Sequence, residues 1–458
     1  MKPLTLAQLV QVCDAELRGP ELEAPIQSVS TDTRNLPPGS LFVALKGESH
    51  DGHNFVADAC AKGALAVLVS RPVEVACPQL IVPDTLIAYG KLGAVCRSES
   101  KATFLAVTGS AGKTTTKDFL GSIVQLEAPS LVTRGTENNE VGIPRLLLQL
   151  EPEHRYCVLE LAMRGPGEIG YLAKLCRPHL GVITNIGEAH VGRLGSREAI
   201  AKAKAELLTA LPPEGHAVLN ADDFFFGLLS EMAPCRVASF GFGPAPEDVE
   251  FHLWAEDVHL AGVEPARFAL RLGAARVPVT LQLPGRHNIA NALAAAAAGI
   301  CAGLSLETVR VGLESYEGAG MRSEVLQSPG GFTVINDAYN ASPTSTPEAL
   351  KVLAQSAGRH IFVFGDMLEL GPVSEEAHRR MGRLAVEAGV EWLITIGSEA
   401  AFAALEAEAL GIQVNALSGT EEALALLLPV LEPGDTVLVK ASRGMKLEAV
   451  VRGLVDVA

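Results

Sequence analysis

The sequence predicts an α/β protein of three domains. Its 458 residues correspond to about three domains of ordinary size. Short apolar runs that end in polar or glycine residues alternate with helical stretches, a pattern typical of parallel sheets covered by helices. Residues 243–283 differ, because shorter alternating strands and several prolines favour an antiparallel insertion or edge there. We therefore place the domains at residues 1–82, 83–318 and 319–458.

The first domain is predicted as a small α/β unit. Thr5 and Gln8 fit a capping box that opens a short helix. Strands are expected at 40–45 and 64–69, with a helix at 55–61 between them.

The second and third domains are predicted as sheets with helices on their faces. Asp84 can cap a helix that runs to about Cys96, and another helix is expected at about 288–302. The predicted strands are Phe104–Val107, Tyr156–Leu161, Leu180–Thr184, Ala217–Leu219, Phe332–Ile335, Ile361–Phe364, Trp392–Ile396 and Thr436–Val439. In parallel sheets ligands bind beyond the carboxyl ends of the strands, so the polar residues that follow these strands are the candidates for a site.

Composition excludes some classes of partner. The net charge of −16 favours neither nucleic acid nor an anionic membrane. The N-terminal segment lacks the apolar stretch of a signal peptide, and the alanine-rich run at 290–298 is too short to span a bilayer. We expect a cytoplasmic protein without membrane insertion. The eight cysteines form no CxxC pair, which favours reduced thiols.

A phosphate-binding loop follows the predicted strand at 104–107 and opens a helix. Its small residues let backbone N–H groups approach phosphate oxygens, and the helix N-terminus favours negative charge. Lys113 can reach the β- and γ-phosphates of a nucleotide, and Thr114 can offer its hydroxyl to Mg²⁺. Only the GxxGK[ST] part of the general motif is present, because Val107 stands where the first glycine is expected, and a simple glycine-rich turn is the alternative. The predicted nucleotide contacts are Thr108, Gly109, Ser110, Ala111, Gly112, Lys113, Thr114 and Thr115.

Three further residues are candidates for a metal site. Glu160 follows the apolar run Cys157–Leu159, and His190 follows the run Gly181–Thr184, although each is also an ordinary residue at such a position. A carboxylate suits Mg²⁺ better than an imidazole does. Lys204 lies on the apolar stripe of a helix that Ser196 can cap, whereas Lys202 points elsewhere. A buried lysine has a lowered pKa and can react with CO₂ to give a carbamate; the alternative is a side chain that extends to solvent.

The motifs together resemble those of the Mur ligase superfamily, over nearly the whole chain. The motifs that carry the resemblance are Ala106–Lys117, Glu160–Ile169, Thr184–His190, Ala203–Leu207, Gly285–Ala292, Asn336–Pro343, Phe364–Gly371 and Lys440–Met445. Two small polar departures, Thr136 and Ser342, stand where the family commonly has asparagine.

The resemblance implies a small α/β UDP-sugar domain, a central P-loop parallel-sheet ATPase domain and a C-terminal Rossmann-like α/β domain that closes over ATP. It implies that Thr114, Glu160, His190 and a carbamylated Lys204 bind Mg²⁺, and that Lys113, Lys204, His190 and Glu160 are catalytic. ATP contacts are further implied for Asn288, Asn291, Arg322, Asp337 and Tyr339. Substrate contacts are implied for Ser30, Thr31, Asp32, Arg34, Lys46, Asp51, His53, Asn138, Asn139 and Asn340.

The implied activity is ATP-dependent amide-bond formation through an acyl phosphate. The motifs in the third domain favour UDP-MurNAc-tripeptide and D-alanyl-D-alanine as substrates, acted on by a monomer. One alternative is a superfamily member that adds a single amino acid. Others are a P-loop ATPase without ligase activity and a nucleotide-binding regulatory module.

Overall fold

The computed structural model describes residues 2–47 and 50–456. Within these ranges the chain forms sixteen α-helices and twenty strands. The first part comprises α1 (Leu6–Cys13), β1 (Glu16–Arg18), β2 (Ser28–Ser30), β3 (Ser40–Val43), α2 (Val56–Ala61), β4 (Ala66–Val69), β5 (Gln79–Ile81), α3 (Thr85–Glu99), β6 (Thr103–Thr108), α4 (Lys113–Glu127), β7 (Ser130–Val132), α5 (Gly142–Leu147), β8 (Tyr156–Glu160) and α6 (Glu168–Cys176).

The remaining elements follow in two runs. The first run comprises β9 (Leu180–Ile183), α7 (Val191–Leu194), α8 (Arg197–Thr209), β10 (His216–Asn220), α9 (Phe226–Met232), β11 (Arg236–Gly241), β12 (Phe251–His259), β13 (Arg267–Leu272), β14 (Ala275–Thr280), α10 (Arg286–Cys301) and α11 (Leu306–Ser315). The second run comprises β15 (Glu324–Gln327), β16 (Thr333–Asp337), α12 (Thr346–Ala354), β17 (His360–Gly365), α13 (Ser374–Glu387), β18 (Trp392–Ile396), α14 (Ala401–Ala409), β19 (Gln413–Leu417), α15 (Thr420–Leu427), β20 (Thr436–Lys440) and α16 (Glu448–Val455).

The chain divides into two compact units, and the division falls within β6. The first unit contains residues 1–106, 128–163 and 168–178, and the second contains 107–127, 164–167 and 179–458. The predicted domain boundaries after residues 82 and 318 do not coincide with this division, and they stay predictions.

The first unit contains a sheet in the order β1-β5-β4-β3-β2, in which only β1 is antiparallel to its neighbour. Its core includes Leu41 and Leu68 on one face and Phe42 and Val67 on the other. This alternation follows from the period of two along a strand. The same unit also contains β7, β8 and the first residues of β6, which are neighbours in the order β6-β8-β7.

The second unit contains the end of β6 in the order β14-β13-β12-β11-β10-β9-β6. Strands β9 to β12 are parallel, and β12 to β14 are antiparallel hairpins. The antiparallel insertion expected between residues 243 and 283 is therefore confirmed. The consequence for the site is that the carboxyl ends of β6, β9, β10 and β11 lie at one edge of the sheet.

A third sheet, also in the second unit, has the order β15-β16-β20-β17-β18-β19. Only β15 is antiparallel to its neighbour. Apolar side chains cover both faces, among them Phe362 and Leu438 on one and Val363 and Val437 on the other. Two buried faces explain why β17 and β20 are continuous apolar runs.

The predicted helix starts agree with the structure. Thr5 and Gln8 form the reciprocal capping box at α1. Asp84 accepts hydrogen bonds from the N–H groups of Leu86 and Ile87 at the start of α3, and Ser196 accepts one from Ala199 at the start of α8. Across the part of the chain that the structure describes, no helix combines the length and the apolarity that crossing a membrane requires.

The prediction of eight reduced thiols is wrong for one pair. Cys60 and Cys77 form a disulfide, and their Cα atoms are 6.3 Å apart, within the range that a disulfide spans. The two cysteines are 17 residues apart in the sequence, so their proximity depends on the packing of α2 against the sheet and leaves no short-range pattern. The other six cysteines are free thiols.

Candidate active site

The phosphate loop lies between the end of β6 at Thr108 and the start of α4 at Lys113. Gly112 has a φ of +79°, and a Cβ atom at this position would collide with the side-chain oxygen of Asn291. Only glycine fits both the left-handed conformation and the close approach. The loop thus has the local geometry that exposes backbone N–H groups at a helix N-terminus.

The end of β9 holds this loop in place. The N–H of Ser110 donates to the carbonyl of Asn185 (3.0 Å), and the N–H of Ala111 donates to the side-chain oxygen of Asn185 (2.9 Å). The Asn185 amide donates back to the Ala111 carbonyl (3.0 Å), and Thr184 donates its hydroxyl to the same carbonyl (2.6 Å). These hydrogen bonds therefore fix the backbone of the loop against the end of β9.

Two lysine amines converge beneath the loop. Lys113 and Lys204 both donate to the carbonyl of Gly109, at 3.0 Å and 2.9 Å. Lys204 is 2% exposed, so the alternative in which it extends to solvent is wrong, whereas Lys202 is exposed and pairs with Glu198 at 2.7 Å. Burial, and then the charge of Lys113, lowers the pKa of Lys204 well below its ordinary value. The neutral amine that a carbamate requires is thereby favoured.

His190 lies before α7 with a φ of +65°, a conformation that non-glycine residues adopt mainly at functional or turn positions. Its Nδ1 atom lies 3.1 Å from Oε2 of Glu369. Burial, then the charges of Lys113 and Lys204, lower the pKa of His190, while Glu369 opposes that shift. A neutral imidazole is the form that binds a metal ion.

Glu160 ends β8 in the first unit and is 1% exposed. Its Oε1 atom accepts a hydrogen bond from the Asn138 amide at 2.6 Å. The side chain of Asn139 accepts from the N–H groups of Val141 and Gly142 at the start of α5. Asn138 therefore orients the predicted metal ligand, and the Asn139 side chain is engaged in a turn.

The predicted metal donors differ in how well they fit Mg²⁺. The hydroxyl of Thr114 and the carboxylate of Glu160 are oxygen donors of the kind that Mg²⁺ prefers. Lys204 as an amine is not such a donor, and it fits only as a carbamate. Within residues 2–47 and 50–456, no three His, Cys, Asp or Glu side chains gather as a metal-binding group.

A cavity of about 840 Å³ lies beside the loop in the second unit. Its walls come from the loop, the ends of β9, β10 and β11, the start of α10, and the segments around β16 and α12 of the third sheet. The guanidinium of Arg286 lies 3.6 Å from the ring centroid of Phe242. This volume and mixture of apolar and charged walls suit a nucleotide-sized ligand.

The residues predicted to contact ATP lie at or next to this cavity. Asn288, Asn291, Arg322 and Asp337 line it, and the Arg322 guanidinium lies 4.0 Å from the Tyr339 ring centroid. Asp337 accepts hydrogen bonds from Lys440 and from the Ser323 N–H. Asn340 is exposed, and its carbonyl accepts from Lys440 at 2.9 Å.

The predicted substrate contacts of the first domain form local polar networks. Asp32 accepts three hydrogen bonds from the Arg34 side chain, which lower the pKa of Asp32 to about 2. Ser30 donates to the carbonyl of Asp32, and Arg145 donates to the Thr31 hydroxyl at 3.3 Å. Arg145 is a cation in this network that the sequence did not single out.

The contact predicted for His53 does not fit its surroundings. Its Nδ1 atom lies 2.6 Å from Asp51, and its Nε2 atom accepts from the Ser70 N–H at 2.9 Å. Its side chain is 1% exposed, so both ring nitrogens are engaged within the protein. His53 therefore positions Asp51, which remains partly exposed beside Lys46.

Three family models match successive parts of the chain. They are described as "Mur ligase family, catalytic domain" over residues 25–111, "Mur ligase middle domain" over 107–299 and "Mur ligase, glutamate ligase domain" over 321–443. A UDP-N-acetylmuramoyl-tripeptide–D-alanyl-D-alanine ligase of Escherichia coli K12 is 38% identical over 455 residues, which cover 99% of both chains. The chain belongs to the Mur ligase family.

Other relatives agree along the full length. The ligase of the same name from Bacillus subtilis is 36% identical and covers 99% of this chain and 98% of its own. A crystal structure of MurF from Acinetobacter baumannii superposes with a TM-score of 0.93, at 36% identity and full coverage of both chains. MurF of Thermotoga maritima in complex with ADP gives a TM-score of 0.82, at 26% identity and 94% and 97% coverage. These likenesses confirm the three-domain α/β fold of a Mur ligase.

Part of the cavity wall in this Mur ligase escaped the sequence analysis. The lining residues to which the sequence analysis assigned no role include Thr184, Asn220, Asp222, Phe242, Arg286 and Lys351. Asn220 ends β10 and Asp222 follows it, so the rule of strand ends applied to every strand would have found them. Arg286 lies in the motif Gly285–Ala292 but was given no role. Lys351 leaves no such signal, because its position depends on how α12 packs.

Proposed function

We propose that this Mur ligase joins D-alanyl-D-alanine to UDP-MurNAc-tripeptide, with conversion of ATP to ADP and phosphate. The observation that carries the proposal is the 38% identity over 99% of the chain to a ligase of that name. The organised phosphate loop beside a nucleotide-sized cavity supports it. The product is the UDP-MurNAc-pentapeptide used in peptidoglycan synthesis, made in the cytoplasm by a monomer.

The reaction has two steps. A carboxylate oxygen of the tripeptide attacks the γ-phosphorus of ATP, so that ADP leaves and an acyl phosphate forms. The amine of D-alanyl-D-alanine then attacks the acyl carbon, the C–O bond to phosphate breaks, and the amine gives up a proton. Phosphoryl transfer depends mainly on positioning and on neutralising charge. The N–H groups of the loop and the ammonium of Lys113 do both.

The nucleotide is assigned to the space between two walls. The segments around the third sheet contribute Arg322, Asp337 and Tyr339, and α10 contributes Asn288 and Asn291. Arg322 is assigned to phosphate, Asp337 to the ribose and Tyr339 to the base region. Closure of these walls protects the acyl phosphate from water. Support comes from the position of Arg322 and Asp337 on the cavity and from the ADP complex of the T. maritima relative.

A magnesium site is assigned to Thr114, Glu160, His190 and Lys204, the last as a carbamate. Mg²⁺ would neutralise charge on the phosphates. Lys204 supplies a buried amine whose pKa is lowered well below its ordinary value, and Asn138 donates a hydrogen bond to the Glu160 carboxylate. The carbamate would give a rigid anion at the end of a side chain that the helix already holds.

The first domain is assigned to the UDP-sugar. Ser30, Thr31, Asp32 and Arg34 form one polar edge, and Lys46 and Asp51 form another. Arg145 adds a cation beside Thr31. Asn138 and Asn139 lie in the loop assigned to the peptide side of the substrate. Asn340, which follows β16, is assigned to the acceptor dipeptide.

Phosphate release measured with ATP, Mg²⁺ and UDP-MurNAc-tripeptide, with and without D-alanyl-D-alanine, tests the function. We expect release that requires the dipeptide, and a product whose mass is that of the pentapeptide. Release that requires a shorter UDP-peptide and one amino acid would instead identify a ligase that adds a single residue. Release without any UDP-peptide would identify a plain ATPase.

A further inference from the structure

One carboxylate of the third sheet reaches the predicted reaction centre. Glu369 lies in the loop that follows β17, and its Oε2 atom lies 3.1 Å from Nδ1 of His190. Its Oε1 atom lies 3.7 Å from Arg193. The side chain is 41% exposed, so the carboxylate keeps acceptor capacity for a further donor.

The fold builds the loop that presents Glu369. The Met367 N–H donates to Nε2 of His378 (2.9 Å), and the Leu368 N–H donates to the Ser442 hydroxyl (2.9 Å). Glu369 itself has a φ of +65°. A non-glycine residue keeps this conformation only where its surroundings hold it.

The helix that follows His190 leaves room for this loop. A Cβ atom on Gly192 would lie 2.7 Å from the Leu370 carbonyl oxygen, closer than such atoms approach without displacement. Any side chain at Gly192 would therefore require α7 or the loop that carries Glu369 to shift.

The charges around Glu369 show what it can bind. Lys113 and Arg193 make this region positive, which suits phosphates and the anionic UDP-peptide. The acceptor dipeptide, however, carries an ammonium group at neutral pH, and an ammonium requires an anion. The nearby Glu188 lies 3.6 Å from Arg380, whereas Glu369 lies 3.1 Å from His190, a residue predicted to be catalytic.

We propose that Glu369 binds the ammonium group of the incoming D-alanyl-D-alanine and so positions its nitrogen beside the acyl phosphate. The nitrogen attacks as the neutral amine, after the ammonium has given up one proton to bulk water. The assignment rests on the proposed ligase function. Glu369 acts in binding the acceptor and not in the formation of the acyl phosphate, because that first step involves no amine.

The test is steady-state kinetics of Glu369→Gln, which keeps the size of the side chain and removes its charge. We expect KM for D-alanyl-D-alanine to rise about 10- to 100-fold, the loss of one charge-assisted hydrogen bond. KM for ATP and for the UDP-tripeptide should stay within about twofold of wild type. Without dipeptide, trapping of the acyl phosphate by hydroxylamine should proceed as in wild type.

A ligand without the ammonium separates recognition from structural damage. N-propionyl-D-alanine has the shape of the dipeptide but lacks the amine, so Glu369→Gln should leave its inhibition constant unchanged. Glu369→Asp should recover part of the affinity for the dipeptide. Glu188→Gln is the matched control, and it should retain the wild-type KM for the dipeptide.

Two results would overturn the proposal. One is an unchanged KM for the dipeptide in Glu369→Gln. The other is an equal loss for ATP and for the dipeptide, which would mean that Glu369 acts through His190. If the wild-type protein itself shows no dependence on the dipeptide, the proposed function fails instead, so the two failures are distinguishable.

Discussion

Lys204 has a buried amine with a hydrogen bond to the Gly109 carbonyl and a second cationic amine on the same acceptor. An isolated ammonium in such a place is costly, so the neutral amine is favoured. The periodicity of α8 indicated the apolar stripe, but it could not decide between burial and an extended side chain. That decision depends on the depth of the groove beneath the phosphate loop.

Replacement of Lys204 tests its role. Lys204→Met should lower phosphate release by about 100-fold or more while the melting temperature stays equal or rises, since an apolar side chain of similar length replaces a buried amine. In Lys204→Ala, a short-chain carboxylic acid should restore part of the activity by supplying the missing anion. Lys202→Ala, on the exposed face of α8, is the control. Full activity of Lys204→Ala would exclude the carbamate.

Asp51 gives a prediction about pH. Hydrogen bonds from the backbone and ring of His53, and one from Arg71, hold the pKa of Asp51 well below its usual range. A lowered folded-state pKa contributes stability above the unfolded value, near pH 4, and this stability is lost as the pH falls towards the folded value. In acid titrations followed by urea unfolding, Asp51→Asn should therefore lose less stability below about pH 4 than wild type. Exposed Glu21→Gln should retain the wild-type profile, and an identical profile for Asp51→Asn would contradict the prediction.

The hydrogen-bond partners of His53 could not be predicted from its place in the sequence. Its position in the motif implied a ligand contact, yet its ring lies between Asp51 and the Ser70 N–H. Ser70 is 17 residues away, and nothing local in the sequence indicates that pairing.

Among the elements, the phosphate loop owes its conformation to hydrogen bonds with the end of β9 more than to its own residues. Asn185 both donates to and accepts from Ala111. Asn185→Ala should therefore loosen the loop and raise KM for ATP by about 30-fold, because two hydrogen bonds of about 1 kcal/mol each are lost. KM for the dipeptide should stay unchanged. The control is Asn415→Ala, which removes from β19 the hydrogen-bond acceptor of Trp392 in β18. It should leave both constants unchanged.

Central strands were predictable and edge or polar strands were not. The apolar runs at β6, β9, β17 and β20 were found because both of their faces are buried. β15 and β19 are only partly buried, and such strands are stabilised by pairing with a neighbour more than by their own composition. β11 was missed for another reason: its buried Ser239 is satisfied by His252 of β12 at 2.8 Å, so the strand does not look apolar.

At the scale of the molecule, the cavity joins the central sheet to the third one. The connection between them is anchored at Tyr316, whose ring packs on Phe119 (4.8 Å) and whose hydroxyl donates to Asp118 (3.2 Å). A nucleotide that contacts both walls should stabilise both together.

ADP should therefore raise the melting temperature and slow proteolysis of residues 317–322. At about 100 times its Kd, ADP adds about 2.7 kcal/mol to stability. Limited proteolysis followed by mass spectrometry measures the protection. Arg322→Ala should still bind ADP through the loop but should lose the protection of this segment. Equal protection in both proteins would mean that Arg322 does not contact the nucleotide.

The way in which the loop after β17 is held affects which acceptor substrates this fold can bind. The backbone of this loop is held by hydrogen bonds to His378 and Ser442, and the side chain of Glu369 takes no part in them. A change of side chain at Glu369 would therefore alter the chemistry offered to the nucleophile without rebuilding the scaffold. In evolution or in design, acceptor preference could diverge by substitution at this one position while the machinery that activates the carboxylate is inherited intact.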